Sequence, residues 1–102
     1  MPTYEEIQTE IRAFAEARHW GKFHTPKNLA MAVTGEAGEL AAEFQWLTPE
    51  ESSIENLTPE KLEAISMEIA DVQIYLMRLA DVLGINTLDA AKAKIQINES
   101  RF

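Results

Sequence analysis

Two pairs of acids, Glu36-x-x-Glu39 and Glu68-x-x-Asp71, are the residues of this chain best placed to do chemistry. Residues three apart on a helix share a face, so each pair points two carboxylates in one direction. Leu29, Val33, Leu40 and Phe44 fall in the register of Glu36, while Glu68 and Asp71 lead into Val72, Tyr75, Leu79 and Val82. A solvated charged face would lie opposite such a stripe, whereas these acids join it. Two like charges about 4 Å apart repel by roughly 4 kcal/mol at an effective dielectric near 20. A fold stable by only about 5–15 kcal/mol does not keep four clustered acids uncompensated. Protonation or divalent cations relieve the strain, so the pattern predicts a metal site. Oxygen ligands without thiolate favour magnesium, manganese or calcium over zinc.

Helices must position these acids, and four are legible. The first opens on the capping box Thr3-Tyr4-Glu5-Glu6, carries Tyr4, Ile7, Ile11 and Phe14 at helical spacing, and ends near His19 before a turn at Trp20-Gly21. The second starts at Thr25-Pro26, a cap residue followed by proline at the first helical position, and runs to about Phe44 with the first acid pair on it. Gly35 and Gly38 flank those acids inside the helix. Each costs about 1 kcal/mol relative to alanine, which suggests close approach by another backbone or a ligand. Residues 47–57 form an acidic loop with a short helical turn around Thr48-Pro49-Glu50-Glu51. The third helix runs from Thr58-Pro59 to Leu83, with Gly84 as its stop signal, and carries the second acid pair. It has more apolar residues than one face can hold, which predicts a central helix with a subunit interface. Thr87 caps a fourth helix that reaches Asn98. No strand-period run or internal repeat is present, so the fold class is all-α.

Other side chains admit two readings each. Trp20 and Trp46, at helix ends, stack on a ligand or close the core. Tyr75, one turn after Asp71, reaches the metal-side pocket or packs. Lys27, Lys94 and Arg101 hold phosphates or are merely solvated. Asn98 is a ligand contact or a helix-end residue, and His24 a ligand contact or a turn residue. A di-iron carboxylate centre would need two Glu-x-x-His motifs. The chain offers one, Glu16-x-x-His19, at the end of the first helix.

The 102 residues are expected to form a single domain over 1–102, with 46% hydrophobic and 25% charged residues, the composition of a folding chain. With a net charge of −8 and nine basic residues scattered singly, a nucleic-acid polymer is not an expected partner. A small polyanion is compatible if metal ions reverse the local sign. Without a signal segment or a run of membrane length, the expected setting is cytoplasmic and the chain is not expected to enter a membrane.

Taken together, these residues resemble the MazG-like all-α nucleoside triphosphate pyrophosphohydrolases, and most closely their short dCTP pyrophosphatase branch. The similarity runs through Arg18-His19-Trp20, Phe23-His24-Thr25-Pro26-Lys27-Asn28-Leu29 and Gly35-Glu36-Ala37-Gly38-Glu39-Leu40. It continues through Phe44-Gln45-Trp46, Glu68-Ile69-Ala70-Asp71-Val72, Ile74-Tyr75-Leu76, and Lys94 followed by Asn98. The double acid motif with the intervening Gln-Trp is its specific part. The resemblance implies a four-helix bundle-like fold assembling as a dimer or tetramer, with sites near subunit boundaries. It implies Glu36, Glu39, Glu68 and Asp71 as magnesium ligands and as the catalytic set, with manganese as a possible substitute. It places Trp20, Trp46 and Tyr75 around the nucleotide and Lys94 and Asn98 near it, and with His24 and Lys27, read from their own positions, these are the expected substrate-binding residues. Vertebrate relatives carry a histidine on the first helix near the base, where this chain has Ile11.

The expected activity is hydrolysis of a nucleoside triphosphate, dCTP or a modified dCTP, to the monophosphate and pyrophosphate, a house-cleaning reaction on the nucleotide pool. The competing reading is a non-enzymatic helical interaction protein whose acids form a structural metal site. That reading accounts for the acids and the apolar third helix, but not for the aromatic and basic groups arrayed around them.

Overall fold

Threonine hydroxyls set three of the four helix starts. Thr3, Thr25 and Thr58 accept the backbone N–H of Glu6, Asn28 and Lys61 through Oγ1 at 3.1, 3.2 and 3.1 Å. Each such cap is worth about 1 kcal/mol. They open α1 (Tyr4–Ala17), α2 (Pro26–Ala42) and α3 (Pro59–Leu83) in the computed structural model, which describes residues 1–102 and contains no strand. The fourth helix, α4 (Thr87–Arg101), starts differently from the expectation. Asn86, not Thr87, is the cap, accepting from Leu88 and Asp89 N–H at 2.9 and 3.1 Å. Asn86 has the extended backbone that a cap requires, while Thr87 is already helical. The Thr87 N–H, an orphan of the first turn, donates to the Tyr4 hydroxyl at 3.0 Å and ties α4 to α1.

The helix ends are sharper than the periodicity implied. The last helical residue of α1 is Ala17, and the chain reverses through His19 at φ 57. Trp20 N–H bonds to Ala15 C=O and His19 N–H to Glu16 C=O, both at 3.0 Å. That is a Schellman closure with histidine in the left-handed position where glycine is usual. A 3-10 turn over Gly21–Phe23 then leads to α2. Gly84 at φ 74 closes α3 in the same way. The loop over 47–57 remains in turns. Thr48 and Glu51 cap each other reciprocally, Thr48 N–H to Glu51 Oε1 at 2.8 Å and Glu51 N–H to Thr48 Oγ1 at 3.2 Å. No helix propagates from this turn.

α3 is the central element, packed along α2 and against α1, whereas α4 makes no comparably extensive contact. Ala15, Leu29, Ile65, Met77 and Ala80 form the buried apolar core. The accessible surface is 7621 Å², against about 5,800 Å² for a compact chain of this mass. The radius of gyration is 16.1 Å, against about 13 Å. This open shape leaves Leu62, Ile69, Leu76 and Leu83, spaced by seven along α3, exposed. A β-carbon added at Gly35 or Gly38 would meet nothing within 4 Å, so no part of this chain makes the close approach that those glycines suggested. No helix is long and apolar enough to cross a membrane.

Candidate active site

α2 and α3 lie side by side with their acids at the seam. Glu36 and Glu39 sit one turn apart on α2, Glu68 faces them from α3, and one carboxylate oxygen from each lies within 4.8 Å of the others. Oε2 of Glu36 and Oε2 of Glu68 are buried and have no hydrogen-bond partner. An orphaned buried carboxylate oxygen is costly, so both oxygens call for a compensating partner. The ionisation state shows the same strain. Burial raises the Glu36 carboxyl above the ordinary glutamate range, aided by the charges of Glu39 and Asp71. Burial likewise raises Glu68, with Glu39, Asp71 and Glu43 adding to it. A hard divalent cation fits this donor set, since it would satisfy both buried oxygens and cancel the repulsion together.

Asp71 stands apart from that trio of oxygens. It lines a cavity of about 270 Å³ together with Trp20, His24, Tyr75, Arg78, Phe14, Ile11, Ala15 and Ile74. Its charge still acts on Glu36 and Glu68, so it joins the acid seam to an aromatic pocket. Trp20 meets Phe14 edge-on with ring centroids 5.6 Å apart and leans on His24 at 5.9 Å. The Schellman closure at His19 aims Trp20 back over α1 in this way. A larger cavity of about 470 Å³, between Tyr4, Ile7, Ile74 and Leu88, is apolar and holds none of the acids.

This arrangement has counterparts. No protein-family model matches the chain. Over 101 residues, 99% of its length, it is 40% identical to the dCTP pyrophosphatase 1 of Homo sapiens and 38% identical to that of Bos taurus. Its fold superposes on the crystal structure of a pyrophosphatase from Archaeoglobus fulgidus with a TM-score of 0.87 and 41% identity, covering 96% of this chain and 90% of that one. The chain belongs to the MazG-like all-α nucleoside triphosphate pyrophosphohydrolases. It spans 59% of the length of the human relative and 60% of the bovine one.

Not every residue implied by membership of this pyrophosphohydrolase family converges within one chain. Trp20, His24, Tyr75 and Asp71 do. Trp46 lies in the turn after α2 with 86% of its surface exposed. Lys27 projects from the first turn of α2 into solvent. Lys94 lines a groove between α3 and α4 among Leu76, Leu79 and Leu83, with no acid in its lining. Asn98 is half-buried in the last turns of α4, where its carbonyl accepts the Phe102 N–H at 2.9 Å.

Sequence reasoning missed other polar groups. Glu43 extends the Glu36-Glu39 row by four residues and is paired with Lys61 Nζ at 3.0 Å, which holds one more acid beside the seam. The signal was available in the spacing. Arg78 and Asp81 were hidden inside the apolar stripe of α3. Arg12 of α1 grips Asp81 through Nε at 2.9 Å and Nη2 at 2.7 Å. That grip holds the Asp81 carboxyl below the ordinary aspartate range despite its burial.

Proposed function

We propose that this chain hydrolyses a nucleoside triphosphate, dCTP or a modified dCTP, to the nucleoside monophosphate and pyrophosphate in a magnesium-dependent reaction that manganese also supports. The observation that carries the reading is the pair of orphaned buried oxygens on Glu36 and Glu68, adjoining an aromatic cavity through Asp71. Acids alone would repel a triphosphate; acids that hold cations receive it.

Glu36, Glu39 and Glu68 would hold the metal, with Asp71 completing the set from the cavity side. Magnesium, when bound, neutralises the phosphate oxygens and lowers the pKa of a coordinated water. The chain's own residues do the rest. A site carboxylate oxygen not engaged by the cation takes the proton of the attacking water. Water adds in line at the α-phosphorus, the bond to the bridging oxygen breaks, and pyrophosphate leaves. Trp20 and Tyr75 hold the base flat in the cavity, with smaller effect on rate than on selection. Reaction in ¹⁸O-labelled water tests this directly: label in the monophosphate supports attack at the α-phosphorus, and label in the pyrophosphate overturns it.

The same reading makes the protein a homo-oligomer, a dimer or tetramer. Its surface of 7621 Å² exceeds that of a compact chain by roughly 1,800 Å², and burying that much on each partner takes about 3,600 Å² in total, the size of an obligate oligomer interface rather than a standard one. The exposed row Leu62, Ile69, Leu76 and Leu83 supplies an apolar face for it. Trp46, Lys94 and Asn98 would then serve a site completed across that interface. Such an enzyme acts on free nucleotides in the cytoplasm, with neither a nucleic-acid polymer nor a membrane as partner.

A further inference from the structure

Of the six buried residues, Arg78 on α3 is the one that carries a charge, at 9% exposed. An arginine there is expensive, and an apolar residue of similar volume would usually serve stability as well or better. Its Nε donates to His24 Nδ1 at 3.0 Å. A guanidinium stays protonated and has no acceptor, so His24 Nδ1 must offer its lone pair and the ring hydrogen must sit on Nε2. Asp81 in turn lies 3.6 Å from Arg78 Nη1 while clamped by both donors of Arg12. The result is a chain of contacts, Arg12 to Asp81 to Arg78 to His24, that crosses from α1 through α3 to the turn before α2.

Its end point is a cavity wall. His24 and Arg78 both line the aromatic pocket beside Asp71. The one side-chain hydrogen bond of His24 runs through Nδ1 and leaves Nε2 unengaged within the chain. We propose that Arg78, oriented by Asp81 and Arg12, is a positioning residue that fixes His24 as a neutral Nε2–H donor for a hydrogen-bond acceptor on the edge of the bound nucleobase. This rests on the nucleotide reading above. The surroundings favour a base over a phosphate, because His24 shares the pocket with Trp20, Phe14 and Tyr75 and the one acid in the lining is Asp71. A cytosine ring offers such acceptors at its carbonyl oxygen and ring nitrogen. Burial and the charge of Arg78 also push His24 below the ordinary imidazole range, in keeping with a neutral ring. The charged groups facing His24 are Arg78 and Asp71 from α3, with Arg18, the residue that follows α1, beyond Trp20.

The test couples ¹⁵N NMR of the His24 ring at neutral pH to dCTP kinetics on the same full-length samples. The wild-type ring is expected as the Nε2–H tautomer. In Arg78→Ala that signature gives way to mixed tautomers and KM rises about tenfold, the scale of one ligand hydrogen bond, while kcat stays within about twofold. Arg78→Lys, which keeps a charged donor, restores both in part. Should Arg78→Ala fail to fold, Asp81→Asn carries the test, with a smaller shift of the same kind in ring signature and KM. A wild-type ring protonated on Nδ1, an unchanged tautomer in these variants, or a fall in kcat at constant KM would overturn the proposal. Absence of turnover in the wild type strikes the nucleotide reading instead, and is seen before any variant is compared.

Discussion

Glu36 of α2 and Glu68 of α3 bring carboxylate oxygens within 4.8 Å of each other, and each keeps its Oε2 buried without a partner. Two helices that pack this closely through acids have a local defect in the metal-free fold. The defect has a chemical remedy, and stability should therefore respond to the same cation as activity.

Stability without metal should fall as pH rises. Both carboxyls hold their protons to higher pH when folded than when unfolded. Their contribution is full below the unfolded glutamate value of 4.5 and is lost as pH climbs from there through the raised folded values. Asp81 acts in the opposite sense, contributing above its unfolded value of 3.8 and losing that contribution as pH falls through the lowered folded value. Thermal melts in a chelator should show the decline above 4.5, excess magnesium should remove it, and Glu36→Gln should flatten it. A metal-free stability that rises steadily through this range would contradict the account.

Glu39→Gln should cut turnover by about 100-fold or more, since even outer-shell support at metal sites is worth 10–100-fold. Circular dichroism should show an unchanged helical fold, with equal or greater stability in chelator because one like charge has gone. Full activity in this variant would remove Glu39 from the site.

How much of this was legible depends on whether a residue's role is local. The caps at Thr3, Thr25 and Thr58 and the stop at Gly84 are written in adjacent residues, and the structure follows them. The acid seam was legible because helical spacing sets which carboxylates share a face. The separation of Asp71 from the other three was not, because it depends on how α2 crosses α3. Arg78 was invisible for a related reason: among Met77, Leu79 and Ala80 it reads as an interruption, and only its distance to His24, 54 positions away, gives it meaning. At the start of α4, two good cap residues stand side by side, and backbone conformation chose Asn86.

The apolar row of α3 predicts self-association. Sedimentation at micromolar concentration should give a dimer or tetramer, and Leu76→Asp, in the middle of the exposed row, should shift it towards monomer with loss of activity. A wild-type monomer at that concentration would leave the row unexplained and the oligomer excluded.

His19 occupies the left-handed position that closes α1. A non-glycine residue there gives up roughly 1–2 kcal/mol, partly offset by the greater unfolded freedom of glycine. His19→Gly should therefore raise the urea midpoint by an amount equivalent to about 0.5–1 kcal/mol, and His19→Val should lower it. The reverse order would show that the histidine side chain holds the turn.

The central claim is the reaction itself. Its most direct test is a hydrolysis panel of the standard dNTPs and NTPs with modified cytosine nucleotides, run with magnesium and with chelator, resolving monophosphate plus pyrophosphate from diphosphate plus phosphate. The account predicts monophosphate and pyrophosphate from a cytosine deoxynucleotide, only when magnesium is present. No turnover on any nucleotide, alongside a magnesium-dependent thermal shift, would contradict it and leave the acid seam as a structural metal site.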